Sequence, residues 1–220
     1  MKTFLLAVLL SFTVFAKETR IKIAVIDTGI KDSPEITPYL CKKGHKNFTK
    51  GTLKDVHGHG TNVVGLIANN INKNKVCLLI IKYYHLETDV LPPEKYGELF
   101  DYVRKQKVKY INFSSTGRSP IEVERQQILS LLSKKVHVIV AAGNEGINLK
   151  YDCSSFPGCY NITSQYFHVV GAKDLLESNY GMLGQEYENG KDQCSLGVCL
   201  SGSSQATAVY TGKLAAKETR

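Results

Sequence analysis

Apolar residues in this chain gather in short runs, separated by longer stretches where apolar and polar positions recur at helical spacing. Positions 21–26, 76–83, 108–113 and 136–142 are near-continuous apolar runs rich in branched residues, and 167–170 is a shorter one. Such runs predict strands buried on both faces. The stretches 61–70, 93–106, 121–133 and 204–217 predict helices. Strand and helix signals alternate, which predicts an α/β fold with a mostly parallel central sheet flanked by helices. Between 151 and 199 the chain is rich in Gly, Ser, Asn and Cys; apart from 167–170 it reads as loops. There are no internal repeats and no low-complexity linker.

The N-terminus does not belong to that pattern. A basic start, Met1-Lys2, leads into the mostly apolar stretch 4–15, and Val14-Phe15-Ala16 fits a signal-peptidase site. This predicts a signal peptide over 1–16 and one exported domain over 17–220, either secreted or periplasmic. The apolar stretch is too short to span a bilayer comfortably, and no later segment approaches that length, so no stable membrane insertion is expected.

Composition refines the picture in two places. The formal charge is +8, but the lysines are scattered, so the excess reads as a solvated surface. No nucleic-acid motif and no aromatic-basic interleaving occur, and no nucleic-acid partner is expected. Six cysteines in an exported chain predict disulfides. Fifteen pairings are possible. Short loops that can turn at Phe156-Pro157-Gly158 and at Gly197 favour Cys153–Cys159 and Cys194–Cys199, leaving Cys41–Cys77 by elimination. No Cys-x-x-Cys occurs and no ligand cluster accompanies His57 and His59, so no metal is expected.

Candidate chemistry lies at the ends of the apolar runs. Asp27 closes the first, in IAVIDTGI. A carboxylate at the carboxyl end of a central parallel strand stands where α/β sheets form ligand sites, although alone it could simply accept turn N–H groups. No Gly-x-Gly-x-x-Gly follows, which removes a nucleotide site and leaves no cofactor implied. His59 stands in HGHGTNVVGLIA, just before a predicted helix, and can serve as a general base. Ser204 stands in SGSSQATAVYTG, where Gly202 allows a sharp turn and the helix start offers a backbone N–H to a developing oxyanion. An acid, a base and a hydroxyl therefore follow one another along the chain.

These three motifs, in this order, resemble those of the subtilisin-like serine protease family, the subtilases. The resemblance runs from about 21 to 212. It implies a three-layer subtilisin-like α/β fold, C-terminally short, and hydrolysis of a peptide or protein substrate through an Asp27-His59-Ser204 triad. It also implies that Asn144, in VIVAAGNEG, is an oxyanion-hole donor. By the same resemblance Ser114, Ser115 and Thr116, in YINFSSTG, would line the substrate strand and one pocket wall. Ala142 and Gly143 would add to the pocket, with Ser155, in SSFPGCY, at its base.

The chain departs from the family pattern in ways that bear on activity. The family's His-Gly-Thr-His becomes His59-Gly60-Thr61-Asn62, and Thr-Ser-Met-Ala-x-Pro becomes Ser203-Ser204-Gln205-Ala206-Thr207-Ala208. Without the proline, the helix after Ser204 is expected to run straighter. The short stretch from Lys17 to Asp27 leaves no room for the propeptide many secreted members carry, and later family helices are expected to be absent. The loop 69–75 has Lys73 and Lys75 but no carboxylate, so no strong calcium site is expected there. A catalytically weak or inactive binding module with a retained fold is the alternative reading.

Overall fold

The computed structural model describes residues 18–84 and 92–219. The signal segment expected over 1–16, and His85, lie outside these residues. Seven parallel strands form the central sheet in the order β2-β3-β1-β4-β5-β6-β7. They are β1 (Ile21–Asp27), β2 (Lys46–Asn47), β3 (Val76–Lys82), β4 (Tyr110–Phe113), β5 (His137–Ala141), β6 (Phe167–Ala172) and β7 (Glu186–Glu188). A separate antiparallel hairpin pairs β8 (Gln193–Ser195) with β9 (Val198–Leu200).

Successive side chains of a strand point to opposite faces, so a strand with layers on both sides must be apolar throughout. Strand β1 sends Ala24 and Ile26 to one core, and Ile23 and Val25 to the other. The first core is closed by α2 (Pro93–Lys105) and α3 (Glu122–Leu132), through Leu99, Phe100, Val103, Ile128 and Leu131. The second is closed by α1 (His59–Ala68) and α4 (Ser203–Lys217), through Val63, Val64, Ile67, Ala206 and Ala208. The result is the expected three-layer α/β fold. No helix among the described residues is long and apolar enough to cross a membrane.

Every predicted strand and helix is present, with ends shifted by a few residues. Residues 151–199, expected to be loops around one strand, also hold β7 and most of the β8–β9 hairpin, and β2 forms where no apolar run predicts a strand. All three disulfides pair as expected: Cys41–Cys77, Cys153–Cys159 and Cys194–Cys199.

The topology fixes where a site can form. After β1 the chain builds β2 and β3 on one side, then crosses to place β4 against the other side of β1. The strand order reverses between β1 and β4, and crevices open at the carboxyl ends of strands at such a switch point. Asp27 ends β1, and Ser114 directly follows β4.

Candidate active site

Asp27 is held by parallel pairing on the β3 side and is 4% exposed. Its Oδ1 accepts hydrogen bonds from the Thr28 N–H at 2.8 Å and from His59 Nδ1 at 2.8 Å. With Nδ1–H committed to the carboxylate, a neutral His59 ring keeps its lone pair on Nε2. Burial pushes the His59 pKa down, but the Asp27 carboxylate, helped by Asp55, outweighs this and raises it above the ordinary 6.5. Of the two neighbouring histidines, only His59 bonds Asp27. His57 meets the His59 ring edge-on and faces the same cavity.

The start of α1 is set by Asp55, which the sequence reading did not single out. Its Oδ1 accepts from the His57 and Gly58 N–H groups and from Thr28 Oγ1. Its Oδ2 accepts from the Thr61 N–H at 2.8 Å and from Thr61 Oγ1 at 2.6 Å. A helix leaves its first N–H groups unpaired, and this one carboxylate takes up two of them, at Gly58 and Thr61, on either side of His59. Burial would raise the Asp55 pKa, yet the bonds from Thr61, Gly58 and Thr28 together hold it below the usual carboxylate range. The available signal was an Asp just ahead of a predicted helix, a capping residue type. Thr28 joins this network to the sheet: its Oγ1 also accepts from the Gly60 N–H at 2.8 Å. Gly60 is required by contact, since a Cβ there would stand 2.5 Å from the Gly29 carbonyl oxygen.

Ser204 lies in the first turn of α4, 9% exposed, and lines a cavity of about 250 Å³ together with Asp27, His59 and Asn144. Its hydroxyl donates to the Ser114 carbonyl at 3.0 Å, while Ser114 Oγ donates back to the Ser204 carbonyl at 3.2 Å. In this position the hydroxyl is bonded to Ser114 rather than to His59; bonds of a nucleophile to its base often tighten only when substrate is bound. Asn144 Oδ1 accepts from the Ser203 N–H at 2.7 Å, which orients the amide with its Nδ2 end available to the cavity it lines. Gly143, at φ +102°, makes the turn before it; a Cβ there would lie 2.4 Å from Asn179 Nδ2.

The remaining predicted residues divide into two groups. Ser114, Ser115 and Thr116 line the cavity. Ala142, Gly143 and Ser155 are not among its lining residues. Ser155 is buried and its Oγ donates to the Ala142 carbonyl at 2.7 Å, while the Gly143 N–H donates to Ser203 Oγ. The other described histidines take structural contacts: His45 accepts the Ile80 N–H, and His137 and His168 bond each other. Among the described residues no cluster of three or more His, Cys, Asp or Glu side chains could hold a metal ion.

A bonded carboxylate–imidazole pair at a sheet switch point thus shares one cavity with a serine at a helix start. The match of the Subtilase family to residues 18–218 places the chain in that family. The major intracellular serine protease of Bacillus subtilis is 31% identical over 176 residues, covering 73% of this chain and 54% of that protein. Subtilisin BL of Lederbergia lenta is 27% identical over 215 residues, covering 89% of this chain and 75% of that protein. Among solved structures, a cold-adapted subtilisin-like serine proteinase superposes with a TM-score of 0.73 at 19% identity, over 90% of this chain and 75% of that one. The chain spans about half the length of the Bacillus relative.

Proposed function

We propose that the chain is an exported serine endopeptidase. Ser204 Oγ attacks the substrate carbonyl, and His59 Nε2 takes its proton and later returns it to the leaving amine. Asp27 holds the ring in the required tautomer and stabilises the imidazolium. Asn144 Nδ2 and the Ser204 N–H donate to the oxyanion, whose charge grows only as the tetrahedral centre forms. The observation that carries this reading is the 2.8 Å bond between Asp27 Oδ1 and His59 Nδ1, made at the cavity that Ser204 also lines. Ser114, Ser115 and Thr116 offer one wall to the substrate, with Ala142, Gly143 and Ser155 supporting the pocket. Thr116, where relatives often carry glycine, lines the cavity and favours small or medium residues before the scissile bond.

Export rests on the apolar segment 4–15 and on three disulfides, which persist in oxidising compartments. N-terminal sequencing of the protein recovered outside the cytoplasm should begin near Lys17; an intact Met1 in a cytoplasmic fraction would count against it.

A second reading, a binding module with little catalysis, is favoured by the Ser204 hydroxyl donating to Ser114 rather than to His59. A fluorophosphonate probe with peptide mapping separates the two. The enzyme labels at Ser204, and Ser204→Ala abolishes labelling; an unlabelled, folded wild type supports the binding module.

A further inference from the structure

Beside the first cavity lies a second, of about 310 Å³, which shares Tyr83, Tyr84, Ser115 and Thr116 with it. Its walls include Tyr83, Tyr96, Phe113 and Phe156, and Glu124 lines it as well. Glu124 comes from the first turn of α3, four residues before Ile128, on the stripe that this helix buries with Leu131 and Leu132. Helical spacing calls for an apolar residue there. Instead the position carries a carboxyl that is 4% exposed.

Its bonding is sparse. Tyr160 donates its hydroxyl to Glu124 Oε1 at 2.7 Å, and no cation pairs with the carboxyl among the described residues. Burial pushes the Glu124 pKa up to about 7, against a smaller downward pull from Tyr160. A carboxyl in this state contributes little to the fold, because a buried charge without a counter-charge is costly. It is well placed to receive a cation. Aromatic faces attract ammonium and guanidinium groups, and a carboxylate among them supplies the full opposite charge.

We propose that this pocket takes a lysine or arginine side chain of the peptide substrate, at a position away from the scissile bond, with Glu124 as its counter-charge. The proposal rests on the peptidase reading above. The shared wall supplies the geometry. Ser114 bonds Ser204, and the chain then runs through Ser115 and Thr116 to Gly117 at the second cavity. An extended substrate advances about 3.3 Å per residue, so a peptide lying along this segment with its scissile bond at Ser204 brings another side chain to the Glu124 pocket.

The test is a positional-scanning set of blocked hexapeptides, cleaved by wild type, Glu124→Gln and Glu124→Leu. Gln keeps an acceptor for Tyr160, and Leu restores the apolar stripe, so at least one variant is expected to fold. Wild type should favour Lys or Arg over Gln at one position by about tenfold or more, and both variants should lose that preference with other positions unchanged. Binding of the same peptides to Ser204→Ala, with and without Glu124→Gln, gives a readout free of catalysis. Cleavage with no basic preference, or a preference that survives both substitutions, overturns the proposal alone. Binding that depends on Glu124 without any cleavage by wild type leaves the pocket standing and removes the peptidase reading. Neither cleavage nor Glu124-dependent binding overturns both.

Discussion

Gln205 Nε2 donates to Asn62 Oδ1 at 3.1 Å, and both side chains are buried, at 2% and 0% exposed. These are two of the positions at which the chain departs from the family's His and Met, and they touch. Asn62 then donates its Nδ2 to the Gln193 and Val198 carbonyls at 2.9 and 2.8 Å. One buried amide pair therefore ties α1, the residue after Ser204, and the β8–β9 hairpin. A polar group buried this deeply is costly unless paired, so each of the two residues supplies the partner the other needs.

The two residues should accordingly behave as a unit. Asn62→Ala or Gln205→Ala each strands a buried partner and should cost about 1–3 kcal/mol, read as a lower thermal midpoint. Restoring the family pair as Asn62→His with Gln205→Met should cost less than the sum of the two single changes. Strictly additive midpoints across that cycle would show that the pair is not coupled.

His59 sets opposite pH trends for activity and stability. Its pKa is raised in the folded protein, and only the neutral ring can act as base. kcat/KM should therefore fall as pH drops through a value above 6.5, and Asp27→Asn should move that limb to lower pH. Stability runs the other way. The raised pKa contributes stability fully below the unfolded value, and this is lost as pH rises through the folded one. Paired pH profiles of kcat/KM and thermal midpoint check both trends. An acidic limb unmoved by Asp27→Asn would contradict the assignment.

Asn144 is oriented by its bond to the Ser203 N–H, and in the proposed mechanism its Nδ2 donates to the oxyanion. Asn144→Ala should lower kcat by roughly 10²–10³ with little change in KM. A large rise in KM at constant kcat would place Asn144 in ground-state binding instead.

The hairpin closed by Cys194–Cys199 stands directly before Ser204 in the chain and packs on α1. A Cβ at Gly65 would lie 2.1 Å from Ser195 Oγ, so the two elements are in close contact. A short disulfide loop stabilises by only about 2 kcal/mol, so replacing both cysteines by serine should disturb activity more than global stability. Peptidase assays beside far-UV circular dichroism melts should show activity lost below the main transition. Full activity up to that transition would exclude a role for the hairpin in holding the site.

Much of this was legible in the sequence. Strands β1, β3 and β5 are buried on both faces and so appear as apolar runs. Cys153–Cys159 and Cys194–Cys199 follow from close spacing, and Cys41–Cys77, 36 residues apart, follows only by elimination. The remaining elements are only two or three residues long. Lys46–Asn47, Glu186–Glu188, Gln193–Ser195 and Val198–Leu200 are too short to show a periodic pattern, and backbone pairing at the sheet or in the hairpin fixes them. Asp55 and Glu124 were also passed over. Each looks like an ordinary surface carboxylate until the fold buries it, and only then do Thr61 beside one and the aromatic cavity beside the other give it meaning.

The central claim is that His59 and Ser204 act on one carbonyl as a single unit. The direct test is kcat for His59→Ala, Ser204→Ala and the double variant on one peptide substrate. Each single change should cost several orders of magnitude, up to roughly 10⁶, and the double should cost no more than either. Losses that multiply in the double variant, or a Ser204→Ala protein that retains wild-type turnover, would contradict it.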